Sequence, residues 1–141
     1  MAEFYVSVSE RDMAIQIADM LNQYNRWATK FSAQSLLITP ARYFVELENM
    51  MVVGCASHLK EYETLTKIQH ICVHPASRKM GIATRLTNLA IDNSETEFVY
   101  MTIREDNVAS LRLAQSLGFR YVTKNWFRDH WTLTYGRRKK P

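Results

Sequence analysis

The stretch IQHICVHPASRKMGIATRLTNL, residues 68–89, contains the elements that decide the fold. Its apolar opening, residues 68–73, is rich in residues that favour β-structure and predicts a buried strand. His74-Pro75 ends this strand, because proline has no N–H to donate and forces its predecessor into extended or turn geometry. After a short polar loop, the pattern from Met80 onward predicts a helix. Its apolar positions are Ile82, Leu86, Leu89 and Ala90.

The turn between this strand and this helix has the features of an anion site. The backbone N–H groups of residues 79–83 lie at the start of the helix, where they have no partner within it and the helix dipole is positive. Gly81 allows the backbone to approach a phosphate closely, and Arg78 and Lys79 add full positive charges. An ordinary strand-to-helix turn with a solvated basic face explains these residues equally well, so the stretch alone leaves both interpretations open.

Two motifs together resemble the GNAT family of N-acetyltransferases. Arg78-x-x-Gly81-x-Ala83, directly after a strand that ends in Val-x-Pro, is similar to the family's acetyl-CoA signature. The segment from Asn107 to Gly118-Phe119 resembles the later family segment, in which an asparagine, a short helix and Gly-Phe open a strand. The resemblance covers roughly residues 52–135. It implies one α/β (α+β) domain over residues 1–136, with a mixed sheet of six to seven strands and about four flanking helices, followed by a basic tail at 137–141.

Composition is consistent with one folded domain. The chain has 141 residues, 47% of them hydrophobic and 23% charged, which is ordinary for a globular protein. It has no apolar run of membrane-spanning length, and residues 1–10 lack the basic and apolar pattern of a signal peptide, so we expect a cytoplasmic protein. Cys55 and Cys72 are isolated, and we expect them to be reduced, buried thiols. The net charge is +4. Much of it lies in Arg137 to Lys140, a tail that could contact nucleic acid, an acidic protein or nothing.

The rest of the chain predicts antiparallel strands followed by one parallel crossover. Ser9 has the position of a helix N-cap before an apolar stripe from Met13 to Tyr24. Residues 36–38 fit either a strand or a short helix, and Gly54 suggests a bulge or a close backbone approach. The pattern predicts strands at 4–8, 43–47, 51–59, 68–73, 98–103, 119–122 and 131–135, helices at 83–91 and 107–117, a turn at 48–49 and an aromatic, polar loop at 124–130.

The resemblance implies that acetyl-CoA (coenzyme A) is bound as co-substrate. The diphosphate would lie over the Arg78–Thr84 loop, and the pantetheine arm would pair with backbone groups of Ile71 and Val73, which makes the Ile71 N–H the candidate oxyanion donor. Asn107 would contact the cofactor arm or act as a plain helix N-cap. The implied cofactor-binding residues are Ile71, Cys72, Val73, Arg78, Lys79, Met80, Gly81, Ile82, Ala83, Thr84, Asn107, Ser110 and Arg112, the last of which is otherwise a surface residue.

The groups that move protons are less clear from the sequence. Ala114 stands where many family members carry the tyrosine acid, so Ser110, Tyr121, Tyr135 or water would have to replace it. His70 is the candidate base, directly or through a water, although a strand histidine bonded to a neighbour explains it too. Thr102 replaces a glutamate base of some relatives and would share the acceptor channel with Tyr100, while His74 is expected to face solvent. Glu46 and Glu63 are weaker base candidates, and no spacing of the four histidines predicts a metal site.

Three functions remain open at this stage. The first is an N-acetyltransferase acting on a small amine, a peptide N-terminus or a lysine. The second is a GNAT-like enzyme that modifies nucleic acid or a nucleobase, suggested by the basic tail and by the aromatic and basic residues at 125–131. The third is a non-catalytic acyl-CoA-binding module, suggested by Ala114. No membrane partner is expected, and whether the chain forms a homodimer is left open.

Overall fold

The computed structural model describes residues 9–25, 30–78 and 80–140. These residues form four α-helices, one short 3-10 turn at Pro75–Ser77 and a six-stranded sheet. The helices are α1 Glu10–Tyr24, α2 Ala33–Ile38, α3 Ile82–Asp92 and α4 Val108–Ser116. The strands are β1 Arg42–Glu48, β2 Met51–Tyr62, β3 Leu65–Val73, β4 Phe98–Arg104, β5 Arg120–Phe127 and β6 His130–Arg138. The strand predicted at residues 4–8 lies outside the described residues.

The sheet is mixed, as predicted, with the strand order β1-β2-β3-β4-β6-β5. Every neighbouring pair is antiparallel except β3 and β4, which are parallel and joined through α3. A parallel pair requires such a crossover, since the chain must return to the end of the sheet from which it started. The predicted fold class, a single α/β domain of this kind, is confirmed.

Helices cover the two faces of the sheet unequally. Helices α3 and α4 pack with β3, β4 and β6 in the larger core, which contains Ile68, Leu86 and Met101. Helix α1 and residues from α2 pack on the opposite face in a second core around Leu21, with Cys55 and Cys72. These two cysteines lie opposite each other on β2 and β3, and both are free and buried, as expected. No helix among the described residues is long and apolar enough to span a membrane.

Helix starts and ends follow the local sequence closely. The Ser9 hydroxyl accepts a hydrogen bond from the Asp12 N–H at 3.1 Å, which confirms it as the N-cap of α1. Residues 36–38, which fitted a strand or a helix, belong to α2, because Ser32 and Ser35 form a reciprocal capping box at its start. Gly118, at φ +83°, follows the end of α4, and the Phe119 N–H donates to the Ala114 carbonyl at 2.9 Å. This is the Schellman pattern that a glycine in the left-handed region allows.

Three apolar side chains of the predicted helices, which their helical spacing would turn toward the core, are exposed. They are Ile15, Leu89 and Val108, which are 41%, 46% and 53% exposed. In α3 the buried positions are Ile82, Leu86, Thr87, Ala90 and Ile91, so the buried stripe passes beside Leu89. In α4 only Ala114 is fully buried, and Leu111 and Leu117 are partly buried against the core. The predicted helices are therefore correct, but the direction of these side chains is not.

The aromatic loop predicted at residues 124–130 is wrong. Residues 120–127 and 130–138 form the continuous strands β5 and β6, and only Arg128 and Asp129 lie between them. Trp126 pairs with Trp131 across the strands, with ring centroids 5.3 Å apart. Such cross-strand aromatic pairs stabilise a hairpin to its tip. Arg137 and Arg138, assigned to the basic tail from the sequence, are the last residues of β6.

Gly54 lies where β2 and α3 approach each other closely. The turn between β1 and β2 falls at Asn49-Met50, one residue later than predicted, and both residues have positive φ. Strand β1 then pairs with β2 through a register shift beside Gly54. A Cβ atom at Gly54 would lie 2.8 Å from Cγ2 of Ile82, the first residue of α3. The sequence suggested a bulge or a close approach at this glycine, and the structure contains both.

Candidate active site

Strands β3 and β4 diverge at their carboxyl ends and open a groove in the sheet. Their parallel pairing covers only three residue pairs and stops at Lys67 and Tyr100, whereas β3 continues to Val73 and β4 to Arg104. The groove has a volume of about 960 Å³. It runs from the start of α3 to Asn107 at the start of α4. Ligands of open α/β sheets bind in such a crevice outside the carboxyl ends of the strands.

One end of the groove is the N-terminus of α3. Gly81 is the N-cap residue, at φ +74°, and no described side chain caps this helix. The first N–H groups of α3 are therefore available to an anion, and the helix dipole favours negative charge there. Arg78 lies at the same end, and its Nε donates to the Val73 carbonyl at 3.1 Å. This arrangement has the backbone donors and the positive charge that a phosphate group would require.

A bulge in β3 forms the wall of the groove. Cys55 pairs with Cys72 and Ser57 pairs with Gln69, so His70 and Ile71 together oppose a single residue of β2. His70 has φ +54°, in the left-handed region. A non-glycine residue there costs free energy and is typical of sites where the backbone is shaped for binding. The bulge interrupts the regular pairing of β3 at the residue whose N–H is the candidate oxyanion donor.

The His70 ring lies in an aromatic cluster beside the groove. Its Nδ1 is 2.6 Å from the Tyr43 hydroxyl oxygen, and the Phe31 ring contacts it edge-on, with centroids 4.8 Å apart. Burial lowers the pKa of His70 to about 4, and the Lys67 ammonium adds to the shift. The imidazole is therefore neutral at physiological pH, but it holds a proton only weakly. Burial also raises the pKa of the Tyr43 phenol, so its hydroxyl keeps its proton.

The carboxyl end of α1 contributes two residues that sequence reasoning did not assign to the site. Tyr24 and Asn25 both line the groove. Asn25 Nδ2 donates to the Ile71 carbonyl at 3.3 Å, which holds this end of α1 against the bulge. Tyr24 had been placed in the apolar stripe of α1. No motif marks either residue, because their position depends on how α1 crosses the sheet.

His74 orients the Tyr24 hydroxyl. The Ala76 N–H donates to His74 Nδ1 at 3.1 Å, so the ring proton of the neutral imidazole is on Nε2. Nε2 then donates to the Tyr24 oxygen, 3.3 Å away. This bond leaves the Tyr24 hydroxyl hydrogen for an acceptor other than His74. The prediction that His74 faces solvent is wrong, since the ring is half-buried against Tyr24.

Helix α4 forms the opposite wall. Asn107 is its N-cap, and the side-chain oxygen accepts a hydrogen bond from the Ser110 N–H at 3.1 Å. The cap uses Oδ1 and leaves the two donors of Nδ2. Ser110 and Arg112 also line the groove. Ala114 is completely buried and does not line it, so the position of the family's tyrosine contributes no polar group here.

Most of the predicted site residues meet in this groove. The lining residues that had been predicted are His70, Ile71, Cys72, Val73, Arg78, Gly81, Ile82, Ala83, Thr84, Thr102, Asn107, Ser110 and Arg112. Met80 does not line it and is 61% exposed. Lys79 lies outside the described residues.

The alternative acids and bases lie elsewhere. Tyr135 is buried in the larger core, and Tyr121 packs edge-on against it from β5. The carboxylate of Glu46 pairs with Arg85 at 3.1 Å. Tyr100, predicted to share the acceptor channel with Thr102, does not line the groove and donates to the Glu61 carboxylate instead. The described residues contain no group of three or more His, Cys, Asp or Glu side chains placed to hold a metal ion.

A comparison with protein families identifies the chain. Residues 9–119 match the model of the acetyltransferase (GNAT) family. The chain belongs to this family. The resemblance in the two motifs is thereby confirmed, and with it the prediction of an acetyl-CoA-dependent N-acetyltransferase as the class of enzyme. No curated protein matches the sequence.

Solved structures of acetyltransferases share the fold. The protein yncA of Salmonella typhimurium, whose structure contains acetyl-CoA, is 19% identical, with a TM-score of 0.76 over 94% of this chain and 91% of its own. An aminoglycoside 6'-N-acetyltransferase in complex with coenzyme A is 13% identical, with a TM-score of 0.75 over 92% of each chain. The ribosomal-protein-S18-alanine N-acetyltransferase of Escherichia coli is 17% identical, with a TM-score of 0.71 over 94% of this chain and 90% of its own.

Proposed function

We propose that this GNAT protein transfers an acetyl group directly from acetyl-CoA, bound in the groove between β3 and β4, to a primary amine. The observation that carries the proposal is the continuous groove from the uncapped start of α3 to Asn107. Bound acetyl-CoA supplies an activated acetyl group and a thiol leaving group. The protein must hold acetyl-CoA, polarise its carbonyl, accept a proton from the amine and protonate the departing thiolate.

The chain's own groups suit the binding step. The amides at Gly81 to Ala83 and the Arg78 guanidinium supply donors and charge for a diphosphate. Beyond them, the open edge of β3 from Ile71 to Val73 can hydrogen-bond an extended arm, and Asn107 Nδ2 can donate from the opposite wall. The volume of about 960 Å³ lies at the upper end of typical ligand pockets. Residues and groove therefore fit the co-substrate.

The bulge supports a role for the Ile71 N–H in polarising the carbonyl. A backbone donor acts in this way only when its direction is fixed before the reaction. Cys55 Sγ donates to the His70 carbonyl at 3.2 Å, in the same peptide unit as the Ile71 N–H, and Asn25 binds the next carbonyl, that of Ile71, so both peptide units beside this N–H are held in place. His70 and Thr102 line the groove nearby and are the candidates for accepting the amine proton. Because the pKa of His70 is near 4, His70 would pass this proton on to water rather than store it.

Tyr24 is the hydroxyl that we propose as proton donor to the thiolate, in place of the tyrosine missing at position 114. Its oxygen accepts from His74 Nε2, which stabilises the negative charge that develops when the hydroxyl gives up its proton. Phenols and thiols have ordinary pKa values of about 10 and 8.5, so the transfer is close enough in energy to assist departure. Solvent returns the proton to Tyr24 after product release. Ser110 remains the alternative donor, with a less acidic hydroxyl.

Replacing Tyr24 with phenylalanine tests whether Tyr24, rather than Ser110, is the proton donor to the thiolate. We expect kcat to fall by about 100-fold, the lower end of general acid–base effects, with the affinity for acetyl-CoA changed less than about twofold. His74→Asn keeps an acceptor for the Ala76 N–H and should lower kcat less. Tyr121→Phe on β5 is the matched control. Rates follow from coenzyme A release and affinity from calorimetry, and an unchanged kcat in Tyr24→Phe would exclude Tyr24 as the acid.

The function itself is tested with the unmodified protein. We expect acetyl-CoA to bind in a calorimetric titration, and we expect coenzyme A release when a panel of aminoglycosides, polyamines, peptide N-termini and lysine peptides is added. Mass spectrometry should then find one acetyl group on the accepting amine. Binding without release on any acceptor would favour a non-catalytic acyl-CoA-binding module. Absence of binding would refute the assignment of the groove.

A further inference from the structure

The positive charge of this protein is concentrated in its C-terminal hairpin. Residues 120–140 contain seven lysines and arginines and one carboxylate, that of Asp129, while the whole chain has a net charge of only +4. The rest of the chain is therefore net negative. Part of the hairpin's charge is used structurally, since Arg137 donates to the Leu117 carbonyl at 2.6 Å and Lys139 Nζ to the Ser94 carbonyl at 2.6 Å. Arg120, Lys124 and Arg128 are exposed on or beside β5.

Large aromatic side chains lie exposed among these charges. Trp126 and Phe127, at the tip of β5, are 58% and 50% exposed. They are consecutive strand residues, so they point to opposite faces of the hairpin. All eight residues of β5 are exposed, and β5 is the edge strand of the sheet. Exposed aromatic rings are costly in water, so several of them on one edge indicate a binding surface.

Each face of the hairpin tip pairs an aromatic ring with a cation. Lys124 Nζ lies 4.4 Å from the centre of the Trp131 ring, on the face that Trp131 shares with Trp126. On the other face, the Arg128 guanidinium lies 5.3 Å from the centre of the Phe127 ring. We call Arg120, Lys124, Trp126, Phe127, Arg128 and Trp131 the hairpin surface. It combines π-faces with positive charges spaced along one strand.

We propose that the hairpin surface binds single-stranded nucleic acid. Lysine and arginine side chains contact a phosphate backbone, and exposed aromatic rings stack on bases. The rings favour a single strand over a duplex, because a duplex hides the faces of its bases. They also favour nucleic acid over an acidic peptide, which would use the charges but not the stacking. This proposal is independent of acetyl transfer. The surface lies near the groove, since the Glu105 N–H donates to the Trp131 carbonyl at 3.1 Å and the residues on either side of Glu105, Arg104 and Asp106, line the groove.

Fluorescence anisotropy with a labelled oligothymidylate of about 12 nucleotides tests the proposal. We expect binding at 50 mM salt that weakens as salt rises, with a slope of log K against log salt near −2 if three phosphates are neutralised. Trp126→Ala should weaken binding by about tenfold through lost stacking. Lys124→Glu combined with Arg128→Glu should weaken it at least tenfold and flatten the slope. A melting curve establishes that each variant is folded.

Two exposed residues of β2 provide matched controls. Lys60→Glu reverses a charge and Tyr62→Ala removes an aromatic ring that is 68% exposed, and neither should change binding. The proposal would be overturned if the control variants lost as much affinity for the oligonucleotide as the hairpin variants, or if the protein did not bind it at 50 mM salt. Polyglutamate binding as tight as the oligonucleotide and insensitive to Trp126→Ala would identify an acidic-peptide surface instead. A dimer in sedimentation that Trp126→Ala dissociates, without oligonucleotide binding, would identify a self-association surface.

Discussion

Gly81→Glu is expected to weaken acetyl-CoA binding by at least about 100-fold. The added carboxylate would lie at the uncapped start of α3, where it can occupy the amides that we assign to the diphosphate and also repel its charge. A loss of this size corresponds to about 2.8 kcal/mol of binding free energy, within the range for charge-assisted hydrogen bonds to two or three donors. Calorimetric titration with acetyl-CoA measures it directly.

The control for Gly81→Glu must carry the same backbone strain. At φ +74°, any residue with a Cβ is strained, although space is available, since the nearest atom to an added Cβ is Arg85 Nη1 at 3.7 Å. The strain costs about 1–2 kcal/mol of folding stability. Gly81→Gln is nearly identical in shape, carries the same strain and lacks the charge. We expect it to bind acetyl-CoA at least tenfold more tightly than Gly81→Glu, and equal affinities of the two variants would refute the diphosphate assignment.

The residues that we assign to cofactor binding could be predicted from the sequence because they lie in local elements. A strand, a tight turn with Gly81 and a helix start follow one another within residues 68–89, and their geometry is set by neighbours in the chain. The roles of Asn107 and Gly118 can also be predicted from the local sequence, since helix capping and left-handed backbone geometry depend on a few adjacent residues. These elements appear in the structure in the predicted order.

The residues that we propose for proton transfer come from distant parts of the chain, and the sequence did not indicate all of them. Tyr24 reaches the groove only because α1 crosses β3, and His74 orients it from 50 positions away along the chain. The cluster around His70 combines residues from β1, β3 and the segment before α2, and burial there sets a pKa that no spacing reveals. The error at residues 124–130 has a similar cause, because the Trp126–Trp131 pair stabilises strands whose polar, charged composition resembles a loop.

Gly54→Val is expected to be the most destabilising single change that we identify in the sheet. An added Cβ would lie 2.8 Å from Ile82 Cγ2 and 3.2 Å from Leu86 Cδ1, and both side chains are buried in the larger core. Overpacking of this kind costs about 1–3 kcal/mol and sometimes more. We expect Gly54→Ala to lie near 1 kcal/mol, since alanine regains some strand propensity, and Gly54→Val to lie at or above 3 kcal/mol. Urea denaturation measures both.

The effect of Gly54 should extend to the cofactor site, because Ile82 is the first residue of α3 and follows Gly81 directly. If the contact between Gly54 and Ile82 fixes the distance between β2 and the first turn of α3, Gly54→Ala should weaken acetyl-CoA binding several-fold, although Gly54 itself does not touch the ligand. Gly136→Ala in β6 is the control, since a Cβ there meets its nearest neighbour at an ordinary 3.5 Å. Adding Ile82→Ala to Gly54→Ala removes the clashing atom, and a double-mutant cycle should show about 1 kcal/mol of favourable coupling. If the losses from Gly54→Ala and Ile82→Ala simply add in the double mutant, the close approach of β2 and α3 does not position the helix.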